Sequence, residues 1–424
     1  MSPKIIAICL FIITYILLLA LPKIRAYIAL GSAAIFVILG IMPVDEILSA
    51  IDWNVIMMIA GTMGIVSLFI ESKMPARLAD ILIEKTPNVK WAIIALSLFS
   101  GFISAFVDNV ATVLMVAPVA LNISKKLHIS PVSSIIAISI ASNLQGAATL
   151  VGDTTSILLG GHANMNFLDF FFFQGKFGLF WIVQAGAIAA TLVLLLVFRK
   201  NSEPIHTMER TQVTNYFPTI LLVGMVVLLI IASFIPNTPK TINGIICMSL
   251  LAIGILENLI RTKKLDIANQ TLKEIDYFTL LLLMGLFIVI GGITKAGVVN
   301  DIANLFMKIS GDNLFVIYTL LVWASVLFSA FIDNIPYVMT MLPVAGGIAQ
   351  TMNIEPFILY FGLLIGATLG GNITPIGASA NIAGIGILRK EGHEVSAGQF
   401  MKISVPFTLA AVLTGYLLTW LIWS

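Results

Sequence analysis

The chain has 424 residues, of which 59% are hydrophobic and only 10% are Asp, Glu, Lys or Arg, with a formal net charge of +2. Soluble proteins carry about 25% charged residues, so this composition cannot solvate the surface of a soluble enzyme of this length. It also excludes a disordered chain, a nucleic-acid-binding protein and, with two cysteines, a disulfide-rich secreted scaffold. The sequence therefore indicates a polytopic membrane protein.

Helices are the expected element throughout, because a segment that spans lipid must satisfy its own backbone groups. A bilayer core needs about 20 apolar residues per helix. In chain order, full crossings are predicted at residues 5–21, 24–42, 54–70, 177–198, 216–235, 241–256, 276–294 and 400–423. A hydrophilic linker at 201–213 divides the chain almost in half, and a second polar segment covers 257–275.

Four further apolar regions are interrupted by polar clusters that contain glycine. They are 91–126 and 131–165 in the first half, and 314–350 and 355–390 in the second half. Interrupted segments in corresponding positions of two halves indicate the binding site of a transporter. We therefore expect a re-entrant hairpin at 91–126 and at 314–350, each followed by a broken transmembrane helix.

The two halves match in an almost constant register along the chain. The matched blocks are 51–53 with 275–277, 104–109 with 329–334, 117–120 with 342–345, and 146–152 with 371–377. We expect a first repeat at 1–200 and a second at 214–424, on either side of the linker 201–213. Besides its hairpin and broken helix, the first repeat has helices at 5–70 and 177–198, and the second has helices at 216–294 and 400–423.

A hairpin that enters and leaves on one side makes no net crossing, so each half has an odd number of crossings and the second half is inverted. The predicted fold class is an all-α polytopic membrane protein with two inverted repeats, about ten crossings and two hairpins. The positive-inside rule supports this topology. It places 18 of the 23 basic residues, Arg25 among them, on the cytoplasmic face and only Lys4, Lys176, Lys240, Lys295 and Lys308 on the other. We expect a multi-pass protein of the cell (inner or plasma) membrane with both termini outside the cytoplasm.

Asp108 and Asp333 lie inside apolar segments, at the predicted tips of the two hairpins. A carboxylate at the bilayer centre costs about 2.5 kcal/mol or more, so each is a candidate functional group. Asn109 and Asn334, which follow them, offer a carbonyl oxygen and an amide for contact with a cation or an anion. The alternative is that these residues only cap the helix ends at the hairpin tips. Both roles are open.

A second polar cluster lies inside each predicted broken helix, where 152–156 read Gly-Asp-Thr-Thr-Ser and 377–381 read Gly-Ala-Ser-Ala-Asn. Glycine breaks a helix, freeing carbonyl groups at one half-helix and N–H groups at the next. Carbonyl, hydroxyl and Asn oxygens can bind Na⁺, and a helix N-terminus with Ser and Thr donors can receive an anion. Such a site needs no Lys, no Arg and no metal cage. The alternative is that small residues only allow close helix packing in lipid.

The candidate substrate- and ion-binding residues are Asp108, Asn109, Thr149, Gly152, Asp153, Thr154, Thr155, Ser156, Asp333, Asn334, Asn372, Thr374, Gly377, Ser379 and Asn381. Candidate Na⁺ ligands among them are Asn109, Ser156, Asn334 and Asn381. No nucleophile triad, zinc signature or nucleotide-binding loop occurs in a fitting context. We therefore expect that the protein is not an enzyme and that it uses no cofactor beyond a coupling ion, Na⁺ or H⁺.

These motifs resemble the ion-transporter superfamily. The similarity rests on 104–109 (SAFVDN), 142–153, 329–336 (SAFIDNIP) and above all 369–381 (LGGNITPIGASAN). The superfamily includes arsenite permeases, NhaD-type sodium/proton antiporters, citrate-transporter-like anion permeases and the P protein, with divalent-anion/sodium symporters as distant relatives. The resemblance implies an elevator mechanism, in which hairpin and broken helix move together against a fixed scaffold, and a homodimer.

The first break departs from the pattern of that superfamily. Relatives commonly read Gly-Asp-Pro-Pro-Asn there, whereas this chain has Thr154, Thr155 and Ser156 after Gly-Asp, and Gln145 stands where many relatives have glycine. The second break keeps Asn381. The departure leaves ion stoichiometry and substrate open, and argues against a close arsenite permease or NhaD-type member.

The leading hypothesis is an ion-coupled secondary active transporter of a small anion, driven by Na⁺ or H⁺ and embedded in the bilayer as a homodimer. The alternatives are NhaD-type Na⁺/H⁺ antiport, with Asp108, Asp153 or Asp333 as the titrating carboxylate, and arsenite efflux. A channel would need a continuous polar stripe, which these spans lack. An intramembrane protease would need a suitably placed Asp pair, and the repeat-related contexts of Asp108 and Asp333 argue against one.

Overall fold

Helices form along nearly all of the chain, since apolar runs with few charges leave the backbone to satisfy its own hydrogen bonds. The computed structural model describes residues 2–127, 129–204, 210–263, 266–311 and 313–424. Within these residues it contains twenty α-helices and one two-stranded sheet.

Ten of these helices precede the mid-chain linker and ten follow it. The first ten are α1 Pro3–Ala20, α2 Arg25–Ile38, α3 Ile47–Ala50, α4 Trp53–Glu71, α5 Met74–Glu84, α6 Val89–Ser104, α7 Asn109–Lys126, α8 Val132–Gly146, α9 Thr154–Ala163 and α10 Leu179–Val197. The others are α11 Phe217–Phe234, α12 Ile242–Thr262, α13 Asp266–Glu274, α14 Tyr277–Lys295, α15 Val298–Ser310, α16 Leu314–Ser329, α17 Asn334–Met352, α18 Phe357–Leu364, α19 Ser379–Lys390 and α20 Ala397–Trp423. Short 3₁₀ segments are Pro22–Ile24, Val44–Glu46, Leu168–Phe170 and Gly371–Ile373, a π-helical turn covers Ile365–Leu369, and the strands are β1 Phe172–Phe173 and β2 Lys176–Phe177.

Seven helices among the described residues are long and apolar enough to cross a membrane, namely α1, α4, α10, α11, α12, α14 and α20. The predicted all-α polytopic fold is therefore confirmed. The predicted crossing at 24–42 is wrong in length, because α2 has 14 residues and is only about 21 Å long. It ends shortly before Gly40, whose φ of +69° belongs to the left-handed region and cannot continue a helix.

Three elements lie outside the predictions from sequence. The short helices α5 and α15 each stand between a long helix and a hairpin, and each begins after a residue in the left-handed region, Lys73 and Gly297. The strands β1 and β2 pair around Gln174 and Gly175, which both have positive φ, as a type I′ turn requires. The matched positions of α5 and α15 show the same local geometry in both halves.

The helices pack in two groups. In the scaffold group (α1, α2, α4, α11, α12 and α14), α4 packs along α12 and α2 packs along α14. In the hairpin group (α6–α10 and α16–α20), α8 packs against α6, α7 and α19, and α10 packs along α20. Every residue of α8 from 134 to 146 is buried, as expected of a helix that is enclosed on all sides. The hairpins and broken helices therefore share one packed interior.

Candidate functional site

The first predicted hairpin corresponds to α6 and α7, separated by the non-helical residues 105–108. Asp108 caps α7, because its Oδ1 accepts from two backbone N–H groups of the first turn at 3.0 and 3.1 Å. The next residue, Asn109, is buried and donates from Nδ2 to Asn143 Oδ1 at 3.0 Å and to Asp153 Oδ1 at 3.4 Å. The hairpin tip is therefore bonded to the broken helix of the same half.

The first broken helix consists of α8 and α9, separated by residues 147–153. Asp153 caps α9, since Oδ1 accepts from the following backbone N–H at 2.9 Å and Oδ2 accepts from the Thr155 hydroxyl at 2.8 Å. The Ser156 hydroxyl donates to the carbonyl of Gly146 at 3.1 Å, which ties α9 to the end of α8. Together with Asn109, these groups form the first half-site.

The second predicted hairpin corresponds to α16 and α17, separated by residues 330–333. Asp333 caps α17, with Oδ1 accepting from the N–H of Ile335 at 3.1 Å. The Ser329 hydroxyl contacts both Asn334 Oδ1 and the carbonyl of Ala367, at 2.6 Å for the carbonyl. Asp333 and Asp108 thus play the same structural part at the two tips, and capping and site lining are compatible.

The second broken helix contains two buried acceptor oxygens for which the described residues supply no donor. Asn381 donates from Nδ2 to the carbonyls of Gly371 and Thr374 at 3.3 and 3.2 Å, while no donor among the described residues reaches its fully buried Oδ1. Asn372 donates to the carbonyl of Ile140 at 2.9 Å, and its Oδ1 is likewise buried and without a donor in the described part of the chain. Because an unsatisfied buried acceptor costs about 1–3 kcal/mol, these oxygens are suited to ligate a cation.

The glycines of the two breaks sit against backbone carbonyl oxygens. A Cβ on Gly152 would lie 2.6–2.9 Å from the carbonyl oxygens of residues 146, 105 and 104, and one on Gly377 would lie 2.5–2.7 Å from those of residues 371, 330 and 329. Thr149 and Thr374 donate to the carbonyls of residues 105 and 330, respectively. Only glycine fits at these two positions, and each of these contacts in the first half recurs at the equivalent position of the second.

The two half-sites are joined through Thr368. Asn143 Nδ2 donates to the carbonyl of Thr368 at 2.7 Å, and the hydroxyls of Thr155 and Thr368 are 2.9 Å apart. All three residues are fully buried. The broken helices of both halves are therefore connected by direct hydrogen bonds.

A cavity of about 430 Å³ reaches both hairpin tips. Its wall holds the five carboxylates of Asp108, Asp153, Glu274, Asp276 and Asp333. The only cationic side chain in that wall, among the residues that the structure describes, is Arg25, whose guanidinium pairs with Asp333 Oδ2. Arg25, which precedes Asp333 by 308 residues in the chain, is thus an addition to a site that was expected to need no Lys or Arg.

Seven of the fifteen predicted site residues line this cavity: Asp108, Asn109, Asp153, Thr154, Asp333, Asn334 and Ser379. The other eight are buried within the two broken helices and do not line it: Thr149, Gly152, Thr155, Ser156, Asn372, Thr374, Gly377 and Asn381. Sequence reasoning missed Arg25, Asn143 and Glu274 as lining residues. The remaining acid, Asp276, lies in the matched repeat block 275–277, and that match was the signal from which it could have been found.

A second cavity, of about 700 Å³, lies at the opposite ends of α4 and α14. Ser67 near the end of α4 and Asp276 before α14 line the first cavity, whereas Trp53 at the start of α4 and Ile290 near the end of α14 line the second. These two helices, whose starts belong to one pair of matched repeat blocks, therefore run in opposite directions. Inverted repeats require that α4 and α14 run in opposite directions. The inversion of the two complete halves stays a prediction.

Two hairpins and two broken helices meet at a buried polar site, and cavities lie at opposite ends of the long apolar helices beside it. This arrangement defines a multi-pass membrane transporter. The chain belongs to the citrate transporter family (CitMHS), which matches residues 10–366.

Relatives and a solved structure agree with this class. The chain is 30% identical to an uncharacterized transporter of Mycobacterium bovis over 99% of this chain and 98% of that one. It is 25% identical to the P protein of Mus musculus, over 91% of this chain and 56% of that protein. The crystal structure of the Alcanivorax borkumensis YdaH transporter superimposes with a TM-score of 0.63 at 13% identity, over 99% of this chain and 98% of that one. That likeness concerns the fold alone.

Proposed function

We propose that the chain is an ion-coupled secondary active transporter that carries a small carboxylate anion such as citrate together with Na⁺ or H⁺. The substrate class follows the family to which the chain belongs. The observation that carries the ion coupling is the fully buried Oδ1 of Asn381, for which the described residues supply no donor. A buried amide oxygen is a ligand of the kind that hard cations prefer.

The charge of the first cavity is a second, independent argument for ion coupling. Five carboxylates and one guanidinium line it, so a free polycarboxylate would meet repulsion there. Two unit charges 4 Å apart interact by about 4 kcal/mol near a protein surface. A substrate anion therefore binds well only when cations or protons bind with it, which is the thermodynamic basis of symport.

The two half-sites differ in a way that favours one Na⁺ position. Ser156 and Asn381 stand at equivalent positions and donate to the equivalent carbonyls of Gly146 and Gly371. Serine does so with its single hydroxyl, whereas the amide of Asn381 keeps a separate oxygen that accepts from no described residue. We place the Na⁺ site in the second half, at Asn381, and expect none at Ser156.

Alternating access is favoured by an asymmetry between equivalent glycines of α9 and α19. A Cβ on Gly161 would lie 2.5 Å from Asp52 Oδ2 and 2.6 Å from Val55 Cγ2, so α9 lies tightly against α4 beside the second cavity. At the equivalent Gly386, no atom of the described residues lies within 4 Å of the Cβ position. We propose that the opposite state closes the Gly386 side and opens the Gly161 side, as the elevator mechanism requires. The hydrogen bonds of Thr368 would keep both broken helices together during that movement.

Orientation and assembly complete the proposal. The first cavity opens near the end of α4, and the basic residues Lys73, Arg77 and Lys85 that follow this helix favour the cytoplasmic side. We propose a homodimer in the cell membrane with both termini outside the cytoplasm. Light scattering of the detergent-solubilised protein tests the dimer, and protease accessibility of terminal tags in intact cells tests the orientation.

Uptake by proteoliposomes tests the function directly. The purified protein is given citrate, a dicarboxylate, sulfate, phosphate or arsenite, under an imposed inward Na⁺ gradient or an imposed pH gradient. We expect citrate or a related carboxylate to accumulate under one of the two gradients. The proposal fails if neither gradient drives the uptake of any carboxylate.

The Na⁺ position is tested by thermal unfolding in Na⁺ and in K⁺. We expect Na⁺ to raise the melting temperature of the wild type, and Asn381→Ser to abolish that increase while it keeps a donor for Gly371. The matched control is Ser156→Ala, which should retain the Na⁺ response. A wild type that responds equally to both salts, or a Ser156→Ala variant that loses the response, contradicts this placement.

The acidic wall of the first cavity favours one second candidate, Na⁺/H⁺ antiport. The same proteoliposomes, loaded with a pH-sensitive dye and given no anion, separate the two. Proton movement driven by Na⁺ without any carboxylate would support antiport and count against symport.

A further inference from the structure

Arg25 holds the tip of the second hairpin by an ion pair. It is the first residue of α2, which packs along α14 in the scaffold group, and its guanidinium contacts Asp333 Oδ2. The other oxygen of Asp333 accepts from the N–H of Ile335, so Asp333 keeps a partner even without Arg25. The side chains are 19% and 24% exposed, which leaves the pair accessible from the cavity.

The guanidinium has donors to spare. Arginine presents five N–H donors in a planar fork that matches a carboxylate in two parallel hydrogen bonds. Within the described residues, Asp333 is the one side chain to which Arg25 donates. The cavity that Arg25 lines holds no second cationic side chain from the described part of the chain. Among the described side chains of this wall, Arg25 is therefore the one that attracts an anion by its positive charge.

We propose that Arg25 is the anion-recognition residue, and that a carboxylate of the substrate takes the place of Asp333 on its guanidinium. This inference rests on the proposed function, because it assigns the residue that binds the transported anion. Exchange of one carboxylate for another keeps the guanidinium paired throughout. It also breaks the ion pair between α2 and the second hairpin, so anion binding removes one contact of the hairpin tip with the scaffold group and leaves the hydrogen bond from the Tyr15 hydroxyl of α1 to the carbonyl of Pro336.

The test compares citrate binding to Asp333→Asn with binding to Arg25→Gln/Asp333→Asn, using calorimetry on the purified protein under the ion conditions that support wild-type uptake. Asp333→Asn removes the competitor, so we expect its citrate Kd to be at least threefold lower than that of the wild type. The double variant keeps a neutral, hydrogen-bonding pair at both positions, and we expect its Kd to be at least tenfold higher than that of Asp333→Asn. A Kd within twofold of Asp333→Asn overturns the inference, because Arg25 would then only neutralise Asp333.

Arg25→Lys is the second variant, in case the double variant fails to fold. It keeps the charge but loses the two-pronged geometry, so we expect KM for citrate to rise at least fivefold while kcat changes little. An unchanged KM overturns the inference. The matched control is Lys4→Gln/Asp301→Asn, which removes an exposed ion pair between α1 and α15, outside the cavity, and should leave KM unchanged.

These outcomes separate the inference from the function on which it rests. If the wild type neither binds nor transports citrate or any other carboxylate, the proposed function and the inference fall together. If the wild type binds and transports it while the Arg25 variants keep its affinity, the proposed function stands and only the role of Arg25 is overturned.

Discussion

Replacing Gly377 by alanine should destabilise the protein by about 3 kcal/mol. The added Cβ would lie 2.5, 2.7 and 2.7 Å from three backbone carbonyl oxygens, at least 0.7 Å closer than ordinary van der Waals contact, which begins at 3.4 Å. Overpacking that forces the backbone to move costs about 1–3 kcal/mol, and here three oxygens, two of them in the second hairpin, must move together. We therefore expect the upper end of that range, equivalent to a fall of about 3 °C in the melting temperature.

Thermal unfolding in detergent, followed by tryptophan fluorescence, measures this effect, and citrate uptake by proteoliposomes gives its functional consequence. The matched control is Gly224→Ala in α11, where the new Cβ meets no atom of the described part of the chain within 4 Å. Alanine is favoured over glycine in a helix by about 0.5–1 kcal/mol, so this control should be neutral or slightly stabilising. Equal melting temperatures for the two variants would refute the reasoning that the carbonyl oxygens leave no room at Gly377.

Three further predictions concern contacts outside that break. Gln145 and Gln184 exchange two side-chain hydrogen bonds of 3.0 and 2.7 Å between α8 and α10, so Gln145→Leu should destabilise the protein by about 1–3 kcal/mol in the same unfolding assay. The double variant Gln145→Leu/Gln184→Leu should recover most of that loss, because it leaves no unpaired amide. A double variant as unstable as the single one would contradict this. Gly161→Val should destabilise the protein by about 1–3 kcal/mol, because the new side chain would overlap α4. Gly386→Val, with no described atom near its Cβ, should lie within about 0.5 kcal/mol of the wild type in stability. Equal losses of stability would argue against the asymmetry between the two glycines. Lys4→Gln breaks only an exposed ion pair and should change stability by less than about 1 kcal/mol, so a larger fall in melting temperature would show that this pair is more than a surface contact.

The starts of the helices could be predicted because capping is a local signal. Asp52, Asp108, Asp276 and Asp333 each accept from a backbone N–H within the next three residues, so each marks the beginning of a helix without reference to the rest of the fold. The repeat doubled the information at each of these positions. The predicted hairpins, 91–126 and 314–350, begin and end within two residues of the helices that the structure has there.

Contacts between helices that are distant along the chain could not be predicted, because nothing in the local pattern specifies them. Asn143 donates to Thr368 across 225 residues, and the sequence places Asn143 only beside the first break. Gln145 is recognisable in sequence as a polar residue next to the first break, and its reciprocal pairing with Gln184 becomes visible only when α8 and α10 are packed together. Buried polar residues of this kind are recognisable as unusual, while their partners depend on the tertiary arrangement.

Arg25 was missed for the same reason that the length of α2 was overestimated. A helix over the whole of 24–42 would reach both faces of the membrane, and Arg25 at its start would belong to one face together with Lys23. The helix has 14 residues, so at about 21 Å it cannot cross a hydrocarbon core of about 30 Å. The ion pair with Asp333 indicates that the N-terminal end of α2 is the one that lies inside, at the level of the hairpin tips. Because α2 is short and begins at Arg25, it brings this cation into a cavity lined by carboxylates, whereas a charge count along the sequence assigns Arg25 to solvent.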